Sequence, residues 1–337
     1  MSRKVSLTGI KPTGDLHIGN YLAAIREGLK LCEQFDCIYF IADLHALTTV
    51  RDPKAFRRNS YEVTAAWLAF GFDAEKHIMF RQSDLPLVTE YAWYLSCFTG
   101  VGLLNKAHAF KDAQAKNKDV NHGLYAYPVL MAADIMMYDA DVVPVGKDQK
   151  QHVELARDMA GAVNALYGAE TIKLPEPLIN EDVMVIPGLD GQKMSKSYNN
   201  TIPLFCSDKE LKKRVLSLVT DSTPLEEPKE LRGSTLGELF AHFATEDEFE
   251  ELRQKLAAGN YGWGHAKMDL FEAIMREIGE ARKRFKELIA DEKFLDSVLE
   301  SGLQRAWERA KPVLNRLRNA LGLADTSIAL QRGLSSE

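Results

Sequence analysis

The segment Gly191-Gln192-Lys193-Met194-Ser195-Lys196-Ser197 packs two lysines, two serines and a glycine into seven residues, directly after the apolar stretch 183–189. Ammonium and hydroxyl groups at this spacing can grip phosphate oxygens and stabilise charge as it develops there. A second phosphate-suited segment, Thr13-Gly14-Asp15-Leu16-His17-Ile18-Gly19-Asn20, stands near the beginning of the chain. Glycine at the start of a helix lets a phosphate reach backbone N–H groups, and the helix dipole favours negative charge at that end. His17 and Asn20 can add side-chain donors. Each segment also has a plainer reading: a helix cap for the first, an exposed cationic loop for the second. Together and in this order they point to a nucleotide-activating enzyme, with His17, Asn20, Lys193 and Lys196 stabilising charge.

Asp134 is a third candidate. It lies in the apolar helical stretch 130–138, beside Met131, Ala132 and Ile135. A carboxylate in such surroundings is costly unless it meets a donor. That donor could be a substrate group or, more plainly, a nearby arginine or lysine.

These residues need elements to position them. Residues 5–9 are a short apolar run ending in glycine, which predicts a strand. A turn follows at 12–14, and 18–32 has helical periodicity. The continuous apolar run 37–42 suits a strand buried on both faces of a parallel sheet. It ends at Asp43-Leu44-His45, at the carboxyl end where such sheets place their sites. Helix 55–70 stops at Gly71; strand 77–80, helix 85–97, strand 142–145 and helix 149–167 follow. Residues 105–121 are polar and lysine-containing, which predicts a solvated segment. After Tyr198 the pattern is helical throughout, at 210–219, 236–245, 247–257, 267–289 and 291–321. The expected fold is therefore α/β: a doubly wound parallel-sheet (Rossmann-like) catalytic domain over 1–198, then an all-α C-terminal domain over 199–337. Residues 331–337 are expected to fray.

The bulk numbers exclude other classes. With 337 residues the chain can bury a sizeable core, and its 46% apolar and 27% charged residues suit a globular protein. A net charge of −6 gives no global pull on nucleic acid, so a polyanion partner needs local patches. Lys209, Lys212, Lys213 and Arg214, Arg282, Lys283, Arg284 and Lys286, and Arg305, Arg309, Lys311, Arg316 and Arg318 are the basic clusters. Interleaved acids make each read first as a solvated helix face. No pair among Cys32, Cys37, Cys97 and Cys206 has CxxC spacing and none is near a His at zinc-site spacing, so they read as buried free thiols. The amino-terminal residues lack the apolar run of a signal peptide, and no stretch is long enough for a membrane span.

His17-Ile18-Gly19-Asn20 resembles the HIGH motif (one-letter code) of class I aminoacyl-tRNA synthetases, and Lys193–Ser197 matches the family's second motif, Lys-Met-Ser-Lys-Ser. Tyr127-Pro128-Val129-Leu130-Met131-Ala132-Ala133-Asp134-Ile135 and Val143-Pro144-Val145-Gly146-Lys147-Asp148-Gln149-Lys150-Gln151-His152 are similar to the bacterial tryptophanyl-tRNA synthetases. The likeness runs from about Leu7 into the helical half. It implies ATP-dependent activation of L-tryptophan to tryptophanyl-adenylate and transfer to the 3′ end of tRNA(Trp). Asp134 would accept the indole N–H, a donor-only group, in a slot built by Leu7, Gly9, His45, Met131, Val143 and Val145. Tyr127 and Gln149 would hold the ammonium and carboxyl end. ATP would meet Lys11, Pro12, Thr13, Gly19, Asn20, Lys193, Met194, Ser195, Lys196 and Ser197. The ribose would meet Gly146, Lys147 and Asp148, and adenine would pack on Ile186. Mg²⁺ would arrive on the ATP phosphates, with no metal site on the protein. The resemblance further implies a cytoplasmic homodimer whose helical domain reads the anticodon. The rivals are a tyrosyl-tRNA synthetase, a synthetase-like paralogue that binds without charging, and an unrelated nucleotidyltransferase.

The chain departs from the family pattern at Lys11, often Gln; at Lys147, often Glu; and at Ala113, where a triphosphate-contacting lysine is common. Lys111, Lys116 or Lys11 could replace that charge. If Lys11 does so, Lys11→Gln weakens ATP affinity and slows activation in ATP–pyrophosphate exchange. Unchanged values for both would refute the compensation.

Overall fold

The computed structural model describes residues 3–12, 14–106, 121–146, 150–179 and 185–325. Strand β1 (Val5–Ile10) leads through a turn, with Gly14 at φ +67° and Asp15 at φ +40°, into helix α1 (Ile18–Asn20). A π-helical segment, Tyr21–Ile25, links α1 to α2 (Arg26–Gln34). Next come β2 (Asp36–Ile41), α3 (Asp43–Ala46), α4 (Pro53–Ala69), β3 (Ile78–Arg81), a 3₁₀ turn (Gln82–Asp84), α5 (Leu87–Phe98) and α6 (Val101–Leu104). Helix α7 (His122–Met136), β4 (Val142–Val145), α8 (Lys150–Tyr167) and β5 (Glu176–Ile179) complete the sheet half. The helical half holds α9 (Asp208–Leu216), α10 (Thr235–Phe240), α11 (Glu246–Ala257), α12 (Trp263–Ala290) and α13 (Glu292–Ala320).

The sheet is wholly parallel, in the order β3-β2-β1-β4-β5. Its strands alternate between two apolar layers. Cys37, Tyr39, Ile41 and Met79 face one, with α4 and the helical half; Leu7, Ile38, Phe40 and Phe80 face the other, with α5, α7 and α8. Two elements differ from expectation. β5 reads Glu-Pro-Leu-Ile, too short and too interrupted by proline to stand out as a strand. Helix α7 begins at His122 and carries Pro128 inside it, whereas a proline in sequence suggests a boundary. The thiols also differ: of the four free cysteines Cys37 is buried, Cys32 and Cys206 are half-buried, and Cys97 is exposed.

The core runs across the junction after residue 198. Ile186, Leu189 and Met194 pack in one cluster with residues of α9 to α12, and the carboxyl half of α13 joins the sheet's other layer through Ala306, Ala310, Val313, Leu314 and Leu317. Arginines fasten this last helix. Arg305 donates to the Ala74, Glu75 and His77 carbonyls, Arg309 to that of Tyr138, and Arg316 to the Asp139 carboxylate. Arg318 meets Glu90. The four arginines of the α13 cluster are therefore engaged with the rest of the molecule, although Arg309 is also exposed. Buried Arg282 on α12 likewise donates to the Leu204 and Cys206 carbonyls and to Asp208.

Helix α13 crosses β3 at Gly302, where an added Cβ would stand 1.8 Å from the Met79 carbonyl oxygen. Gly302→Ala should lower stability in urea unfolding by about 1–3 kcal/mol or more, since the strand backbone cannot yield cheaply. Gly161→Ala on α8, where the added Cβ meets nothing within 4 Å, should be neutral or stabilising.

Candidate active site

β1 lies between β2 and β4, so the strand order reverses there and a crevice opens at the carboxyl ends. A cavity of about 540 Å³ occupies it, lined from β1 by Leu7, Thr8 and Gly9, from β2 and the residue after it by Phe40 and Ala42, and from β4 and the residue after it by Val143, Pro144, Val145 and Gly146. His45, Thr48 and Thr49 close one side, and Tyr127, Met131, Asp134 and Ile135 of α7 another. Lys11 and His152 also line it. Every residue expected to hold the amino acid is here except Gln149. Gln149 lies outside the described residues, as do Thr13, Lys147, Asp148, Lys111, Ala113 and Lys116. Gly9 has a steric reason: a Cβ would come within 2.6 Å of the Phe40 ring.

Asp134 is 1% exposed and, among the described residues, meets neither arginine nor lysine. His45 Nε2 lies 2.9 Å from its Oδ2, and Gln82 Nε2 donates to both oxygens at 2.8 and 2.7 Å. Burial pushes this carboxyl up from its ordinary value, while His45 and Gln82 oppose the rise. A carboxylate can accept about four hydrogen bonds, so room remains for one more donor from the cavity. Gln82 went unrecognised in the sequence. Its only signal is its place just past a buried strand, at the carboxyl edge. Asp43, also buried, accepts from the Ser83 N–H and hydroxyl and from the Leu44 N–H. It thereby fixes the turn that carries Gln82.

The two phosphate-suited segments are tied together. Ile18 N–H donates to the Ile202 carbonyl and Leu204 N–H to the Leu16 carbonyl, so the strand-like exit of the lysine loop runs along the start of α1. Asn20 Oδ1 accepts from the His17 N–H at 3.0 Å, which caps the helix and leaves its amide NH₂ as the donor end. A Cβ at Gly19 would press on the His17 ring at 3.0 Å and approach Met194 Sδ at 3.4 Å. Within the loop, buried Asn200 is the hub. Its Oδ1 accepts from Ser195 N–H, and its Nδ2 donates to Asp190 and to the Lys193 carbonyl. The side chains of Ile186 and Met194 depart from expectation. Both are buried in the shared core, and the Met194 N–H donates to the Ile186 carbonyl. Pro12 is buried too, while Lys193 and Ser197 are exposed. Lys196 Nζ donates to the Gly14 carbonyl, close to Asp15 and Glu62. Burial lowers the Lys196 pKa and these two carboxylates hold it up.

His17 is buried, and desolvation, followed by the nearby Lys196 ammonium, lowers its pKa to about 4. Its imidazole is therefore neutral at pH 7. A neutral ring beside a lysine can donate one hydrogen bond to a phosphate without adding charge.

Residues 2–278 match the family of tRNA synthetases class I (W and Y). A tryptophan–tRNA ligase of Fusobacterium nucleatum is 48% identical over 95% of this chain and 98% of its own length. One from Xylella fastidiosa is 46% identical over 96% of this chain and 77% of its own. The tryptophanyl-tRNA synthetase of Campylobacter jejuni, solved with ADP and tryptophan, superposes with a TM-score of 0.90 at 44% identity, covering 95% of this chain and 100% of that one. The fold and site define a class I aminoacyl-tRNA synthetase. The chain belongs to the tryptophan and tyrosine branch of that family.

The lowered His17 pKa has a definite sign. The unfolded chain takes up the proton near the ordinary value of 6.5 and the folded protein only near 4. The contribution to stability is full above pH 6.5 and is lost as pH falls through this window. The His17 imidazole resonance should titrate with a midpoint near 4 by NMR; a midpoint near 6.5 would contradict the burial.

Proposed function

We infer that this chain activates L-tryptophan with ATP and transfers it to tRNA(Trp). The observation that carries the reading is the cavity itself: apolar walls around one buried, hydrogen-bonded carboxylate, in a chain nearly half identical to tryptophan–tRNA ligases along its length. A slot built this way rejects substrates lacking the matching N–H far better than one that measures apolar size alone. The tyrosyl reading has weaker support: a tyrosyl-tRNA synthetase of Archaeoglobus fulgidus shares the fold, at 19% identity. A non-charging paralogue would have no use for both phosphate segments intact.

The first step is in-line attack of the tryptophan carboxylate on the ATP α-phosphorus. An O–P bond forms, the bond to the β-phosphate breaks, and pyrophosphate leaves with its charge. A carboxylate nucleophile needs no general base, so the protein's work is positioning and charge stabilisation. Asp134 takes the indole N–H; Leu7, Gly9, Met131, Val143 and Val145 grip the ring; Tyr127, with Gln149, orients the reacting end. Neutral His17 and the Asn20 amide donate to the phosphates. Lys193 and Lys196 close over the departing pyrophosphate, Lys196 exchanging the Gly14 carbonyl for phosphate oxygen. In the second step the terminal ribose hydroxyl of tRNA attacks the activated carbonyl and AMP leaves.

Mg²⁺ travels with the nucleotide in this reading. The Asp134 carboxylate oxygens are already engaged by His45 and Gln82, which suits a cation held by the phosphates themselves. Residues 1–198 carry the chemistry, and 199–337 supply the anticodon contacts, through the exposed Lys209, Lys212, Lys213, Lys283 and Lys286 that remain once the arginines are spent. Exposed Trp93, Leu166 and Tyr167 on α5 and α8 support a homodimer, and a cytoplasmic location goes with this reading.

Exchange of labelled pyrophosphate into ATP should depend on tryptophan and not on tyrosine. Tyrosine-dependent exchange would overturn the substrate assignment. Lys196→Ala should slow that exchange about a hundredfold or more, the usual loss of one charged transition-state contact, with little change in tryptophan affinity. Near-normal exchange would remove Lys196 from the chemistry.

A further inference from the structure

We propose that Cys32, Cys37 and His77 form a Zn²⁺ site at the amino-terminal edge of the sheet, on the side opposite the active site. Cys32 and Cys37 are five residues apart and His77 is distant in sequence; they come together from the last turn of α2, the start of β2 and the residue before β3. One ligand-type atom from each lies within 4.8 Å of the others. Tetrahedral zinc, with Zn–S near 2.3 Å and Zn–N near 2.0–2.1 Å, needs ligand atoms about 3.4–3.8 Å apart. Closing the set therefore takes shifts of about an ångström or less.

The parts are prepared for this. His77 Nδ1 accepts the Cys37 backbone N–H at 3.2 Å, so that nitrogen presents a lone pair beside Cys37; zinc would replace this single long hydrogen bond. The His77 backbone is pinned on both sides, its N–H to the Asp73 carbonyl and its carbonyl by Arg305. Cys37 and His77 are buried, while Cys32 is half-buried and opens on a cavity of about 490 Å³. Glu33 and Asp73 line the same cavity, together with Arg3 and Lys76. A water or one of those carboxylates can supply the fourth ligand from that side. On binding, Zn²⁺ displaces the two thiol protons to solvent and leaves a neutral zinc dithiolate. Such a site ties the end of α2 to the β2–β3 edge, so it acts on stability and not on the reaction.

The test uses the reduced, full-length protein. Zn²⁺ titrated in competition with a chromophoric chelator should bind at one equivalent. Cys32→Ser should weaken binding by at least about tenfold, and Cys97→Ser, at an exposed thiol elsewhere, should leave it unchanged. Co²⁺ should produce a thiolate-to-metal charge-transfer band that Cys32→Ser weakens, since only the Cys37 thiolate then remains. Zinc X-ray absorption on the wild-type protein, which needs no variant to fold, should report two sulfurs and one imidazole nitrogen. Failure of the reduced protein to bind, binding that Cys32→Ser leaves intact, or coordination by oxygen and nitrogen alone would each overturn the assignment.

Discussion

The position of β1 between β2 and β4 is the constraint on which the rest of the molecule depends. A parallel sheet whose order reverses at one strand sends its connections to opposite faces, so the carboxyl ends on either side of that strand part. Much of the site is hung on the carboxyl ends of the strands, with α7 closing one side. The turn after β1 carries Lys11 to His17, the turn after β2 carries His45, the turn after β3 carries Gln82, and β4 ends in Val145 and Gly146. The lysine loop arrives beyond β5 and is stitched back onto the start of α1 by the hydrogen bonds of residues 202 and 204.

Two opposite electrostatic problems are solved within this crevice. Asp134 is a buried carboxyl in an apolar wall, held by hydrogen bonds with His45 and Gln82. In the proposed function it is the acceptor that would discriminate between substrates. At the phosphate end the problem is positive charge in a partly buried place. Burial keeps His17 neutral, and Lys196 rests on the Gly14 carbonyl near Asp15 and Glu62. The cationic loop is thus held close to its place of work by contacts that a phosphate can replace.

The helical half shows how charge can mislead. Five arginines in two basic clusters are structural fasteners, donating to backbone carbonyls and carboxylates around α12 and α13. Exposed lysines remain on α9 and α12. With a net charge of −6, contact with nucleic acid would need such a local patch.

Much of the fold was legible because parallel strands are continuous apolar runs and the long helices are strongly periodic. The strands at 37–42 and 142–145 and the helix at 149–167 were therefore plain, while β5 and the first turns of α7 were hidden by proline. The phosphate segments and Asp134 were legible as well, since residue type and local order carry their chemistry. Sequence by itself determined that this chain handles a nucleotide and keeps one costly carboxylate among apolar residues. Only the tertiary structure decided what satisfies that carboxylate, namely Gln82 and His45 from the segments that follow β3 and β2. It also decided where the arginines point, and that His77 meets Cys32 and Cys37. These contacts join residues distant in the chain, and no periodicity or spacing encodes them; they exist only once the sheet has set its strand order.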